Sequence, residues 1–395
     1  LNLNDYTGIG DEEPSGIFDY APNGYVGSMS INLTGTNKVK TWVNGGAFNA
    51  CGIRNANDLE FSGNGSLALN VANVESSSVQ GIDAYGTLTL NGDPTVTVHA
   101  TSGKNDVYGI SEADPPVING GSVTASGATA AWFIMNGITT NITCNKSGYV
   151  PVATYSADMT GTDSSTIINP TDSTTPTVAA LFTKNNGGGI SLYKYLKLKL
   201  GAVKTVTNTL TNIRTNNSST SWVQDGTSDY TATLSAAKGY ALPDSIEVKI
   251  GGTTLAAGAN TYTYDSTSGD LTIKNAAITG NIEIIGTGNE LPPLQVTNTL
   301  TNMTTNNSST SWVLSETSDY TATLSAASGY ALPDSIEVKI GGTTLAAGAN
   351  TYTYDSTSGD LTIKNAAITG NIEIIGAGTA VPTPTPTPPT YTVEE

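Results

Sequence analysis

Chemistry in this chain has few residues to draw on. His99 is the only histidine, so a Ser-His-Asp relay would have to use it. It falls in a column of outward polar residues and reads as a solvent-facing strand position. One histidine gives one metal ligand at most, and the two cysteines, Cys51 and Cys144, are too few for a cysteine-based zinc site. Gly187-Gly188-Gly189 precedes a strand pattern rather than a helix, so it builds no helix-terminus anion site. Carboxylates remain. Asp83, Asp93, Asp106, Glu112 and Asp114 could serve a glycosidase, which needs two carboxylates across a cleft, or a calcium-dependent polysaccharide lyase. A lyase also needs a basic residue, and only Arg54 and Lys104 lie between positions 41 and 145. Arg54 and Asp83, 29 apart, read more simply as a ladder pair in adjacent coils. We therefore expect a non-enzymatic protein, with the lyase or glycosidase as the lesser alternative.

Two binding chemistries are better supplied. Calcium takes oxygen ligands, and Asp93, Asp106, Glu112 and Asp114, with Asn105, are expected on neighbouring loops. No Asp-x-Asp-x-Asp loop accompanies them. Sugar sites place aromatic platforms beside polar groups, and Trp132, Tyr85 and Tyr108 are the candidates for that role.

These residues sit on a periodic frame. Gly52-Ile53, Gly81-Ile82 and Gly109-Ile110 are spaced 29 and 28 apart. Leu59, Phe61, Gly63, Leu67, Leu69 and Val71 recur 29 later as Leu88, Leu90, Gly92, Val96, Val98 and Ala100. A third unit has Pro116, Ile118, Gly120, Val123 and Ala125, with one or two residues deleted. Polar residues occupy the alternate sites. One unit cannot bury its own apolar face, but stacked units bury a continuous core. The expected element is a short parallel β-helix with about 28 residues per coil; antiparallel hairpins are the alternative. Cys51 and Cys144 would then be roughly three coils apart. At about 4.8 Å per coil that exceeds the Cα limit of about 7 Å for a disulfide, so two buried free thiols are expected. Residues 145–200 read as the end of this domain, with Tyr193–Leu200 a strictly alternating strand that caps the coil stack or enters the next domain. Leu1–Tyr25 reads as the opposite cap.

Behind this frame, residues 207–286 recur at 297–376. Six of the 80 aligned positions differ: Ile213/Met303, Arg214/Thr304, Gln224/Leu314, Asp225/Ser315, Gly226/Glu316 and Lys238/Ser328. Each copy contains short alternating strands, such as Tyr230–Leu234 and Ile246–Ile250, parted by Gly251-Gly252 and Ser266–Asp270 turns. That rhythm predicts a β-sandwich. Trp222 and Trp312 occupy one position in the two copies and read as core residues. Tandem near-copies lengthen a chain, so specific function is expected ahead of them.

The net charge of −17 disfavours nucleic acid and anionic membrane surfaces, which need clustered Lys and Arg. No apolar run reaches the roughly 18 residues of a membrane span. The chain starts at Leu1 without a Met, as expected of a piece processed from a longer precursor. Residues 381–395 form a Pro/Thr-rich extended linker, and we expect the parent polypeptide to continue after Glu395.

Gly239-Tyr240-Ala241-Leu242-Pro243, Gly251–Leu255 and Tyr262-Thr263-Tyr264-Asp265 resemble an immunoglobulin-like module repeated in surface proteins of Gram-positive gut bacteria. The Gly-Ile…Leu-x-Leu-x-Gly…Val-x-Val spacing over Leu59–Ala125 resembles a β-helical carbohydrate-binding domain of secreted clostridial proteins. That resemblance implies binding of acidic plant polysaccharide with calcium. The expected organisation is all-β: a β-helix tip over 1–200, immunoglobulin-like β-sandwiches over 201–289 and 290–380, and the linker. The expected function is an extracellular bacterial cell-surface adhesin that binds polysaccharide or a host or cell-surface glycan. The alternative is a structural or assembly subunit that binds a host protein.

Overall fold

The computed structural model describes residues 1–4, 7–10, 15–19, 27–42, 49–72, 78–134, 142–159, 167–168, 183–184 and 193–382. The Pro/Thr linker from 383 on lies outside the described residues. The fold is all-β. The first fifteen strands are β1 (Asn2–Asn4), β2 (Thr7–Gly10), β3 (Ser15–Asp19), β4 (Met29–Thr34), β5 (Thr36–Trp42), β6 (Asn49–Asn55), β7 (Leu59–Gly63), β8 (Ser66–Ala72), β9 (Ser78–Ala84), β10 (Leu88–Leu90), β11 (Thr95–Ala100), β12 (Asp106–Glu112), β13 (Val117–Ile118), β14 (Ser122–Gly127) and β15 (Ala130–Ile134). Every third strand stacks in one sheet. The first sheet runs β1-β4-β7-β10-β13, the second begins β2-β5-β8-β11-β14, and the third contains β3-β6-β9-β12-β15. The pairings between these strands are parallel, which makes the domain a β-solenoid.

The expected register is the observed one over the three turns that carry the Gly-Ile pairs. Ile53 pairs with Ile82 and Ile82 with Ile110. Leu59 pairs with Leu88, Leu67 with Val96, and Val96 with Val123. Each column places like residues one rung apart in a continuous buried apolar core. Phe61, Leu69, Leu88, Leu90, Val98, Ile118 and Ala125 are all fully buried, while Thr97 and Asn70 on the alternate sites are exposed. The opening segment differs from the expected cap. Strands β1 to β3 join the three ladders against β4, β5 and β6, so they extend the coil rather than close it.

At the far end the second and third sheets gain further strands. Four further strands are β16 (Tyr149–Ser156), β17 (Ile167–Ile168), β18 (Thr183–Lys184) and β19 (Tyr195–Thr211). Strand β18 adds to β15 in parallel. On the second sheet the direction reverses: β19 pairs antiparallel with β14, and β16 antiparallel with β19. An open parallel edge would template pairing with other chains, and β19 covers it. Both roles considered for the Tyr193–Leu200 stretch are realised by one strand. Beyond Gly201, β19 pairs in parallel with Ile282–Thr287 of the following domain.

Each repeat then forms two sheets around its own core. In the first, Val206, Val248 and Ile284 from one sheet meet Tyr230, Leu234, Leu271 and Ile273 from the other. Val296, Val338, Ile374, Tyr320, Leu324, Leu361 and Ile363 repeat the arrangement. Trp222 and Trp312 are half-buried and pack against these cores. Cys51 and Cys144 are both free, as expected, but only Cys51 is buried; Cys144 is partly exposed.

Candidate functional site

The corners of the solenoid decide which side chains can meet. The turn after β6 and the turn after β9 lie one above the other: the Tyr85 amide donates to the Asn55 carbonyl at 2.9 Å, and the Thr87 amide donates to Asp58 Oδ1 at 2.9 Å. Gly86 is required there, since a Cβ would lie 2.4 Å from Asp58 Oδ1 and 2.6 Å from the Asp58 amide nitrogen. Beside these turns the first sheet presents an open groove of about 410 Å³, lined by Ser28, Ser30, Asp58, Glu60, Thr87 and Thr89 with Met29 and Leu59. Its carboxylates are held. Asp58 Oδ2 accepts from the Ser28 hydroxyl at 3.4 Å. Glu60 accepts from Asn91 Nδ2 at 2.9 Å, and Asn91 in turn accepts from Asn119 Nδ2 at 3.0 Å. The groove thus offers hydroxyls and fixed carboxylate acceptors.

Of the three aromatic candidates, Tyr85 alone is well exposed, at 52%. It lies two residues before Thr87 on the same turn, with the Arg54 guanidinium 5.9 Å from its ring. Arg54 is anchored beneath by the expected ladder pair with Asp83, at 2.7 Å. Asp83 is almost fully buried and also meets the Cys51 thiol, whose pKa is pushed up to about 12 by burial and then by Asp83. Tyr108 is half-buried and stacked on Phe133 with centroids 4.8 Å apart. Burial first, and then Asp106, push its phenol up to about 12.

Trp132 requires correction. It is fully buried, and Nε1 donates to Glu112 Oε1 at 2.9 Å. A ring sealed in the solenoid core cannot stack on a sugar. Its spacing placed it in the third-sheet ladder, where Trp132 pairs with Ile110, a core position.

The expected calcium set is not brought together either. Asp93 is on the turn between β10 and β11, Asp106 at the start of β12, and Asp114 just after β12, so the three stand at three different corners of the coil. Glu112 is fully buried and accepts from the Leu88 amide at 3.1 Å as well as from Trp132. Desolvation raises its pKa well above the usual carboxylate range, against the opposing effect of those two donors. A carboxyl sealed in the core and already holding the Leu88 and Trp132 donors is not placed to ligate calcium. Among the described residues no group of three or more His, Cys, Asp or Glu could hold a metal.

Glu112 instead marks a pH dependence. Unfolded, its carboxyl ionises near pH 4.3; folded, it keeps its proton to higher pH. The folded state therefore binds more protons above that value, and this contribution to stability falls as pH rises. Glu112→Gln is expected to flatten that decline. Urea unfolding at pH 4.5, 6 and 8 checks it: equal slopes in variant and wild type would show that Glu112 is ionised in the fold.

His99 Nδ1 lies 2.5 Å from Ser126 Oγ on the next coil. Ser126 is buried, so no substrate reaches that hydroxyl. Among the described residues no helix is long and apolar enough to cross a membrane.

No family model and no curated protein matches the chain. Among solved structures, a tri-modular endo-β-1,4-glucanase from Bacillus licheniformis aligns at 13% identity and TM-score 0.11, over 46% of this chain and 38% of that one. Tandem immunoglobulin domains of titin align at 11% identity and TM-score 0.10, over 45% of this chain and 93% of that one. At these TM-scores neither likeness carries an argument about fold or activity.

Proposed function

We propose that this chain is an extracellular, non-enzymatic glycan-binding protein of a bacterial cell surface, with the β-solenoid as its binding tip. The two repeats serve as immunoglobulin-like modules that project it. The observation that carries the reading is the groove on the first sheet, where Asp58 and Glu60 stand ready to accept from sugar hydroxyls and the exposed Tyr85 flanks the same turn. Sugars bind by hydroxyl donation to fixed acceptors together with an aromatic face. The repeats fit a projecting role because each has a closed core of its own.

A glycan array probed with the full chain tests this. Binding to a defined polysaccharide class is expected, with Tyr85→Ala weakening it about tenfold, equivalent to about 1.4 kcal/mol. Asp58→Asn should weaken it as well. Chelation of calcium is expected to leave binding unchanged, because Asp93, Asp106 and Asp114 stand at different corners and Glu112 is buried. A chain that binds no glycan but self-associates, or captures a host protein, would establish the assembly reading instead. Reducing-sugar release or unsaturated product from a pectin-like substrate would establish an enzyme.

A further inference from the structure

The six differences between the repeats are not scattered. Ile213 and Met303 are exchanged inside equivalent cores. Each of the other five pairs has at least one member where one domain meets the next.

At the junction of repeat 1 with repeat 2, Glu316 is the central group. Its Oε2 accepts from Arg214 at 2.8 Å and its Oε1 from the Lys238 backbone amide at 2.7 Å. Lys238 Nζ reaches across to Asn365, donating to Oδ1 at 2.6 Å and also to its carbonyl. Leu314 closes over Gly239, where a Cβ would stand 2.6 Å from the Leu314 carbonyl oxygen. The equivalent Gly329 of repeat 2 has open space around it. An exposed Arg–Glu pair alone contributes little, but here one carboxylate is also held by a backbone amide.

At the junction of the solenoid with repeat 1, the same positions hold Gln224, Asp225 and Gly226. Gln224 pairs with Ala202 of β19. The Asp225 carbonyl accepts from Lys199 Nζ, and Asp225 Oδ1 accepts the Thr227 and Ser228 amides at 2.6 and 2.7 Å. A Cβ at Gly226 would lie 3.1 Å from Lys199 Nζ. Gly226 has a φ of 87°, a left-handed conformation that a glutamate rarely adopts, whereas Glu316 needs no such backbone. On the outer pole of repeat 2, Thr304 and Ser328 replace Arg214 and Lys238, so that pole lacks the cationic grip.

We propose that the two repeats dock through an order-specific joint in which Arg214 and Lys238 of repeat 1 clasp Glu316 and Asn365 of repeat 2, and that five of the six differences between the copies encode the two unlike junctions. The repeats are then not interchangeable spacers. Repeat 1 is built to receive the solenoid at one end and repeat 2 at the other, and the pair behaves as one stiff piece. This holds whether or not the tip binds glycan.

Amide exchange at Lys238 in the full chain tests the joint. Peptides that run from the strand Tyr230–Ala236 through Lys238 differ in mass from their repeat 2 counterparts, so overlapping peptides of this kind report the joint and the strand of repeat 1 separately. The variants are Glu316→Gly and the pair R214T/K238S. Each substitution installs the residue that the sister repeat already carries at that position, so the fold accepts it. With Glu316→Gly, exchange at residue 238 is expected to rise about tenfold while the strand Tyr230–Ala236 stays protected, and 1 M NaCl should move wild type part of the way. R214T/K238S should likewise raise exchange around residues 314–317. Unchanged exchange at 238 in Glu316→Gly overturns the proposal, and so does a loss of protection spread through the whole of repeat 1.

Discussion

Trp132→Ala is expected to destabilise the solenoid by about 3–5 kcal/mol, the range for emptying a large buried aromatic site. Trp132 heads the fully buried side chains by volume, and the surrounding ladders leave little freedom to collapse into the space. The change also strips one donor from Glu112, which leaves a buried acceptor served by the Leu88 amide alone. Trp132→Phe helps separate the two effects, since it keeps most of the packing and loses the indole N–H with part of the ring volume. It should cost less than the alanine variant. The measurement is the midpoint of the solenoid's own unfolding transition, followed by exchange in β11 and β12, because the repeats have separate cores and need not unfold with it. A loss under about 1 kcal/mol in Trp132→Ala, accompanied by lost glycan binding, would show that Trp132 is a surface binding residue.

Gly81→Ala is expected to cost about 3 kcal/mol, the upper end for overpacking a filled core. A Cβ on Gly81 would lie 2.1 Å from Val98 Cγ1 and 2.5 Å from the Gly109 carbonyl oxygen. Val98 is fully buried with no room to turn, and the carbonyl belongs to the next rung of the third sheet. The backbone of Gly81 does not need a positive φ, so the requirement is steric and not conformational. Gly27→Ala is the control. Nothing lies within 4 Å of its Cβ position, and a change within about 0.5 kcal/mol is expected. Chemical denaturation of both variants decides the matter: equal stability would mean that the third sheet relaxes freely and that the Gly-Ile columns are not set by close approach.

The solenoid was legible because a stacked ladder repeats its demands at a constant interval. Ile53 and Ile82 must match since each lies on the other, and the same holds for Leu59 over Leu88 and Leu67 over Val96. The earlier turn is not legible at the same interval because its offset is different. Met29 pairs with Leu59 and Ile31 with Phe61, 30 apart, and Thr36 with Ser66, again 30 apart. One extra residue shifts every column. The site was less legible than the frame. Tyr85 and Trp132 are both aromatics in the same stretch of chain, yet one is on a corner turn and the other in the ladder.

What the sequence by itself determined is the class of structure and the identity of its core: an all-β chain whose apolar columns recur at 28–29 residues, the pattern of stacked coils. Burial of an alternating face is a local demand, readable residue by residue. Which polar groups converge is not local. Only the tertiary structure could separate Asp93, Asp106 and Asp114 among three corners, seal Glu112 against Trp132, and bring Asp58 beside Thr87. It also gave meaning to the six differences between the repeats. Read along the chain, Gly226/Glu316 and Lys238/Ser328 are substitutions within copies. In the folded protein Glu316 and Lys238 face each other across a junction, because contacts between domains depend on how their ends are presented and not on distance along the sequence.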